Sequence, residues 1–326
     1  MRHAIWLCLL VGCGSSPGDA AADAPSGTVD GHVGDGMGSA TLHRTVLVVP
    51  FENKDSIEIY GDTTDAPYLN GLLATSAHAT NFMDELALAI PSEPHYVWME
   101  AGSNAFSDRT FTTDADPSTT NSTADTGHLS TQLDTAGLTW TAYQEGIATG
   151  ACPIKSSGEY AAKHDPFVFF RDVVGSPPNA SDPRCGAHHK AIADLTADLA
   201  AGTVANYAFI TPDLCNDMHG DLLCPSGLAA AANIHAGDTW AAANVPALIQ
   251  YTHTHDAILL LVWDEGDNNR LIPFIAIGDH VVPGADATSY TQSSQVKSIE
   301  EFLGVPVLPS VTAATDFSAM FEPGYL

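Results

Sequence analysis

Positive charge is the scarcest feature of this sequence: 11 Lys and Arg stand against 39 Asp and Glu, for a formal net charge of −28. Nucleic acid and anionic lipid head groups both need a basic patch, so a nucleic-acid partner is excluded on charge alone. A phosphate-bearing substrate is repelled at long range as well. A site that cleaves one must therefore supply its own local positive charge, and a bound cation is the simplest source. Long apolar runs are missing too: the stretch Ala4–Val11 is too short to span a bilayer as a helix, and no other segment comes closer. Cysteine is sparse, at six residues, and those beyond Cys13 show no zinc-motif spacing. There is no internal repeat.

The N-terminus does have an address. Arg2, the apolar run to Val11 and the small residue Gly12 make up the charge, apolar core and small residue of an export signal. Leu10-Val11-Gly12-Cys13 resembles a bacterial lipobox, in which Cys13 is lipidated and becomes the new N-terminus. The alternative is a plain secretory signal cleaved slightly further on. Both predict an exported protein, and the first predicts one anchored to a membrane through lipid on Cys13, in the periplasm or at the cell surface. The organisation that follows is a signal over 1–12, a tether over 13–43 and a catalytic domain over 44–326. The tether assignment rests on composition, since Gly, Ala, Ser, Asp and Pro dominate it and cannot bury enough surface to offset the entropy of ordering. Cys8 leaves with the signal, so four thiols remain in an oxidising compartment and suggest two disulfides. Cys152–Cys185 and Cys215–Cys224 are favoured because near pairs close short loops, although three pairings exist.

Thr45–Phe51, Tyr207–Ile210, Ala257–Trp263 and Ile272–Ile277 are short, apolar and rich in β-formers. Continuous rather than alternating hydrophobicity marks strands buried on both faces. Helical stretches over Pro67–Phe82, His188–Ala201, Thr239–Thr252 and Gln292–Leu303 lie between and after them. The pattern predicts an α/β fold, a mainly parallel central sheet flanked by helices on both faces. Residues 103–135, rich in Thr, Ser and Asp, read as a long excursion.

Ligands of such sheets bind beyond the carboxyl ends of the strands. The first strand ends in Glu52-Asn53, and Ala257–Trp263 ends in Asp264-Glu265. Tyr207–Ile210 runs into Thr211–His219, with Asp213, Asn216, Asp217 and His219. Five carboxylates, two amides and a histidine are thus delivered to one edge. Oxygen-rich ligation of this kind suits one divalent ion such as Mg, Ca or Mn. Ser92 stands where a helix to Gly102 could begin, exposed, with helix N–H groups beside it to hold a phosphate oxygen. A serine is a poor nucleophile unless a base or metal activates it, and an ordinary helix-capping serine is the plainer alternative.

The ordered series Glu52-Asn53-Lys54, Pro91-Ser92-Glu93-Pro94-His95-Tyr96, Lys163-His164-Asp165-Pro166-Phe167, Thr211–His219 and Trp263-Asp264-Glu265 resembles the phosphoesterase family of acid phosphatases and phospholipases C. That family belongs to the alkaline-phosphatase-like superfamily. The resemblance covers nearly all of 44–304. It implies that Glu52, Asn53, Ser92, Asp264 and Glu265 hold a divalent metal (Mg, Ca, Mn or Zn) and that Ser92 forms a phosphoserine. It implies further that His164 and His219 bind phosphate oxygens or protonate the leaving group, with Asp217 close by. Two positions depart from the family: His95 replaces the asparagine of the usual Pro-Asn-Tyr, and Thr291-Gln292-Ser293-Ser294 stands where Thr-His-Tyr-Ser is usual. The implied activity is hydrolysis of phosphate monoesters. The alternatives are a phospholipase C acting on diesters and a catalytically impaired lipoprotein that binds phosphate esters. Sulfate-ester cleavage is disfavoured, because no Cys-x-Pro-x-Arg-like segment is present. His188, His189, His253 and His255 read as solvated or capping residues near helix ends, and His280 is left without a role.

The lipid anchor has a direct check. Metabolic labelling with a radioactive fatty acid in a bacterial host should mark the full chain, and Cys13→Ser should abolish the label. Label retained by Cys13→Ser would contradict the lipobox reading.

Overall fold

The computed structural model describes residues 44–326. The signal, the tether and Cys13 lie outside the described residues. Ten strands occur in chain order: β1 (Thr45–Phe51), β2 (Ala77–Ala79), β3 (Phe82–Met83), β4 (Trp140–Gln144), β5 (His189–Ala191), β6 (Tyr207–Thr211), β7 (Ala257–Trp263), β8 (Phe274–Ile277), β9 (Gly284–Asp286) and β10 (Tyr290–Thr291). Eight of them form one sheet in the order β5-β4-β6-β1-β7-β8-β2-β9. From β5 to β7 every pairing is parallel. β8 runs antiparallel to both its neighbours, and β9 pairs parallel with β2. β3 and β10 make a separate parallel pair.

The central strands follow the hydrophobic pattern closely. Every residue of β1, β6 and β7 is buried, as expected of strands covered on both faces. The helix Gln292–Leu303 has the expected bounds, opened by a capping box at Thr291 and Ser294 and closed by Gly304 in the left-handed conformation. Thr239–Thr252 lies within a longer helix, Ala230–Thr252.

Two predicted helices are shorter than the sequence suggested. Helix Pro67–Leu72 ends where the hydroxyls of Thr75 and Ser76 turn back to the Leu72 carbonyl, and β2 and β3 follow it instead of helix to Phe82. After His188, only Leu195–Ala201 of that stretch is α-helical. His188 ends a helix rather than starting one. His189 opens β5, buried, with Nε2 2.9 Å from the Asp165 carboxylate, so it is neither solvated nor a cap. The excursion after Gly102 runs through turns and isolated bridges before the helix Leu129–Ala136.

Both favoured disulfides are present, Cys152–Cys185 and Cys215–Cys224. Among the described residues no helix is long and apolar enough to cross a membrane.

Candidate active site

β6, β1 and β7 are adjacent and parallel, so their carboxyl ends open onto one place. The backbone there is stitched together: the Glu52 N–H donates to the Asp217 carbonyl at 2.7 Å, and the Asp264 N–H to the Phe51 carbonyl at 3.1 Å. Asn53 sits at φ 39°, in the left-handed region that Asn tolerates better than most residues. That bend turns its N–H onto Asp264 Oδ1 at 3.0 Å. After Glu265 the chain turns so tightly at Gly266 that a Cβ would lie 2.0 Å from the Asn269 carbonyl oxygen and 2.6 Å from Asp55 Oδ1. Asp55 accepts the backbone N–H groups of Asn268 and Asn269 and so fixes this turn.

The helix Ser92–Ala101 carries Ser92 at its first position, after Pro91 in extended conformation, and ends at Gly102 with φ 60°. Ser92 is only 1% exposed, so the exposure expected of it is not seen. Its hydroxyl meets Glu52 Oε2 at 3.0 Å and Glu265 Oε1 at 3.2 Å. Lys163 Nζ lies over it at 3.4 Å and is held there by Asp114 Oδ2 at 2.9 Å. Lys163 stands in the motif that carries the family resemblance but had no role assigned from sequence, and Asp114 was not singled out.

His164 bridges two strand ends, with Nε2 3.0 Å from Glu52 Oε1 and Nδ1 3.1 Å from Asp217 Oδ2. Both neighbours are carboxylates, and their charge favours the imidazolium form of the ring. Burial alone would lower its pKa, but Glu52 and Asp217 raise it to about 9. Burial also works to raise the Glu52 carboxyl, yet His164, Lys163 and His219 outweigh it and hold Glu52 below the ordinary carboxylate range. Both ring nitrogens of His164 thus face carboxylates of the site.

His219 differs. Its Nδ1 donates to the Gly220 carbonyl at 2.7 Å, and its Nε2 faces the Lys163 ammonium at 3.3 Å rather than a carboxylate. Asp217 Oδ1 accepts the His219 N–H at 2.8 Å and sets the loop.

The departures from the family pattern are accommodated in one layer. His95 is fully buried, with Nδ1 3.1 Å from Asp84 Oδ1 and Nε2 3.1 Å from the Ile90 carbonyl. The Asp84 carboxylate raises its pKa against the opposing effect of burial and so favours a cationic ring. Glu265 Oε2 is 3.8 Å away. Gln292 donates to the Asp264 carbonyl at 2.6 Å and accepts the Glu85 N–H at 2.6 Å, so it ties the end of β7 to the segment leading to Ser92.

Other sequence candidates fall elsewhere. Asp213 and Asn216 turn to Glu145, whose carboxylate takes the Asp213 N–H and the Asn216 side-chain amide. His280 pairs with exposed Glu322 and lies at the opposite edge of the sheet, because β8 runs antiparallel to β7. His253 follows the end of the helix Ala230–Thr252, pairing with Asp279, and His255 stacks on Tyr251.

A metal has two places to consider. Ligand atoms of Glu52, His164 and Asp217 lie within 4.8 Å of one another. Charge pairing with the His164 ring offsets that trio, although Glu52 Oε1, His164 Nε2 and Asp217 Oδ2 have no hydrogen-bond partner. The other buried oxygens without a protein partner include Asn53 Oδ1 and Asp264 Oδ2. Leaving such an atom unpaired costs about 1–3 kcal/mol. Burial, reinforced by Glu52 and Glu265, pushes Asp264 well above its ordinary pKa. Burial likewise raises Glu265 to about 7. The oxygen cluster therefore carries unpaired acceptors and unwelcome negative charge, which fits a divalent cation bound there.

A sequence profile described as the Phosphoesterase family matches residues 60–306. The match includes Ser92, Lys163, His164, Asp217, His219, Asp264 and Glu265, and begins after Glu52 and Asn53. The chain is 27% identical over 263 residues to the phosphatidylinositol-3-phosphatase of Mycobacterium tuberculosis, covering 80% of this chain and 77% of that one. It is 29% identical over 240 residues to the phosphate-repressible acid phosphatase of Penicillium chrysogenum, covering 68% of this chain but only 51% of the fungal one. Among solved structures, an alkaline phosphatase superfamily protein from Vibrio parahaemolyticus superposes with TM-score 0.53 at 12% identity, over 82% of this chain and 68% of that one. Murine ectonucleotide pyrophosphatase/phosphodiesterase 5 gives 0.55 at 9% identity, over 85% of this chain and 100% of that one. These two likenesses establish a shared fold.

The His164 bridge yields a pH dependence. Its folded pKa of about 9 lies above the ordinary histidine value near 6.5, so its contribution to stability is full below the lower figure and lost as pH rises through the higher one. In chelator-treated protein, the stability advantage of wild type over His164→Gln should be constant below about pH 6.5 and fade toward pH 9 in urea titrations. An advantage that grows with pH across this window would contradict the imidazolium assignment.

Proposed function

This chain belongs to the Phosphoesterase family, and on that footing we propose that it hydrolyses phosphate monoesters through a phosphoserine at Ser92, with one divalent metal ion as cofactor. The observation that carries the reading is the Ser92 hydroxyl, at the start of a buried helix, within 3.2 Å of carboxylates from the ends of two adjacent strands. A serine serving only as a helix cap would bond its own first turn, and Ser92 instead points across the sheet edge. The names of the relatives, a phosphatidylinositol-3-phosphatase and an acid phosphatase, support the reaction class.

The metal-holding residues in this proposal are Glu52, Asn53, Ser92, Asp264 and Glu265. When bound, the ion favours the Ser92 alkoxide and offsets charge on the phosphoryl oxygens. The remaining work falls to side chains of this chain. Ser92 Oγ attacks phosphorus as the ester bond to the leaving alcohol breaks, and its proton departs toward the carboxylates that face it. His219 Nε2, once released from its contact with Lys163, gives a proton to the leaving oxygen from the protonated ring. It then takes one from the water that cleaves the phosphoserine, and the proton held by the facing carboxylates returns to Ser92 Oγ as phosphate is released. His164 keeps Glu52 and Asp217 in register and acts as a positioning residue, not as a proton donor to substrate. The dipole of the helix adds positive potential at Ser92, its first residue, although the Glu93 N–H is taken by Asp114 and Pro94 has none.

Hydrolysis of p-nitrophenyl phosphate by the full chain tests this. Activity should fall by at least about 1,000-fold in Ser92→Ala, as expected when the nucleophile is removed, and should be lost on chelation and restored by added divalent metal. Turnover unchanged in Ser92→Ala would sink the nucleophile, and turnover indifferent to chelator would sink the metal.

A further inference from the structure

The side of Ser92 away from the carboxylates is governed by one cation and the residue that aims it. Lys163 Nζ is 3.4 Å from Ser92 Oγ, 3.3 Å from His219 Nε2 and 2.9 Å from Asp114 Oδ2. Its side chain is 18% exposed, which leaves the ammonium largely shielded but reachable from solvent. Asp114 is doubly committed, because its other oxygen accepts the N–H of Glu93, the residue after Ser92, at 3.0 Å. Glu93 answers by accepting the Ala115 N–H at 2.6 Å and the Asn121 amide at 3.0 Å. The excursion after Gly102 is thus locked to the first turn of the serine helix, and Asp114 points the lysine at the serine.

The other basic residue close in sequence to the cluster, Lys54, spends its amine on the Asn53 carbonyl at 2.7 Å and on Asp267 at 3.8 Å. In a chain with 11 Lys and Arg against 39 Asp and Glu, a shielded ammonium beside Ser92 is a scarce resource in a decisive place. The metal cradle is itself acidic, so a bound divalent ion is largely neutralised by its own ligands. A phosphate monoester dianion arriving at Ser92 brings two negative charges, whereas a diester brings one and carries a carbon substituent on an oxygen that would otherwise be a charged acceptor.

We propose that Lys163 is a catalytic residue that binds the third non-bridging oxygen of a phosphate monoester, the one that carries the second ester group in a diester, and that Asp114 is its positioning residue, so that the pair makes the site select monoesters over diesters. This rests on the reading of Ser92 as nucleophile. Lys163 donates to a non-bridging oxygen in a partly desolvated setting, where a charge-assisted hydrogen bond is strong. In a diester that position is an uncharged ester oxygen, and the single charge is shared by the two remaining non-bridging oxygens. The discrimination therefore resides in one side chain and disappears with it.

The test compares kcat/KM of the full chain on p-nitrophenyl phosphate and on methyl p-nitrophenyl phosphate, which share a leaving group and differ in charge. Lys163→Met should lower the monoester value by roughly 10–100-fold, the size of one charge-assisted hydrogen bond, and leave the diester value little changed. Lys163→Arg should keep most of the preference. Asp114→Asn should show a smaller loss of the same sense, and it probes the pair even if Lys163→Met fails to fold. Equal losses on both substrates, or none on the monoester, would overturn the proposal. A second arm reads binding of inorganic phosphate by calorimetry, with dimethyl phosphate as the monoanionic control. Lys163→Met should weaken phosphate binding and spare the control. If the wild type hydrolyses neither ester, the serine mechanism fails, and this arm alone decides the lysine: unchanged phosphate affinity in Lys163→Met would overturn its role.

Discussion

The structure depends on keeping several carboxylates buried around one serine in a protein that already carries a large excess of negative charge. Glu52, Asp217 and Asp264 are fully buried and Glu265 nearly so, while Asp84 sits behind them. Carboxylates so close in a low-dielectric interior repel one another and prefer to hold protons. Each arrangement around them answers that cost. His164 is inserted between Glu52 and Asp217, His95 between Asp84 and Glu265, and Lys163 over Ser92. What these cations leave uncompensated, chiefly Asp264 and the unpartnered oxygen of Asn53, is the place a divalent ion fits.

Rigidity follows from where these groups are mounted. β6, β1 and β7 are neighbours in the middle of the sheet, with every residue buried, so their ends move little relative to one another. Glu52 and Asp264 are the first residues beyond two of those strands, and backbone bonds join the loops to one another. A site built at strand termini holds its geometry better than one built on long loops. The exception is the excursion after Gly102, which reaches the site only through Asp114 and is fastened by Glu93 and Asn121.

The sequence made the centre of the molecule readable and its margins obscure, for physical reasons. Thr45–Phe51 and Ala257–Trp263 are uninterrupted apolar runs, a pattern that few structures other than a strand buried on both faces can satisfy, and both have the expected bounds. β4 went unread because Trp140–Gln144 mixes Thr and Gln with aromatics, and Gln144 is buried all the same. The residues 77–79 and 189–191 are too short for periodicity to show, and only pairing with a neighbour makes them strands. Strand-end residues were legible because each lies directly after a strong apolar run, and Ser92 because Gly102 marks where its helix stops. Asp114 and Lys163 were not, since their meeting depends on a contact across 49 residues that no local pattern announces. His95 was visible as a departure, but its partner Asp84 and the cationic state that partner imposes required the fold.

Detection of the covalent intermediate tests the central claim most directly. Full-length protein mixed with p-nitrophenyl phosphate and quenched in acid within the first turnovers should yield, by mass spectrometry, a peptide carrying phosphate on Ser92. Burst kinetics should accompany it if dephosphorylation is the slower step. Active enzyme with no phosphate on Ser92 at any quench time, together with release of product in a single step, would contradict the account.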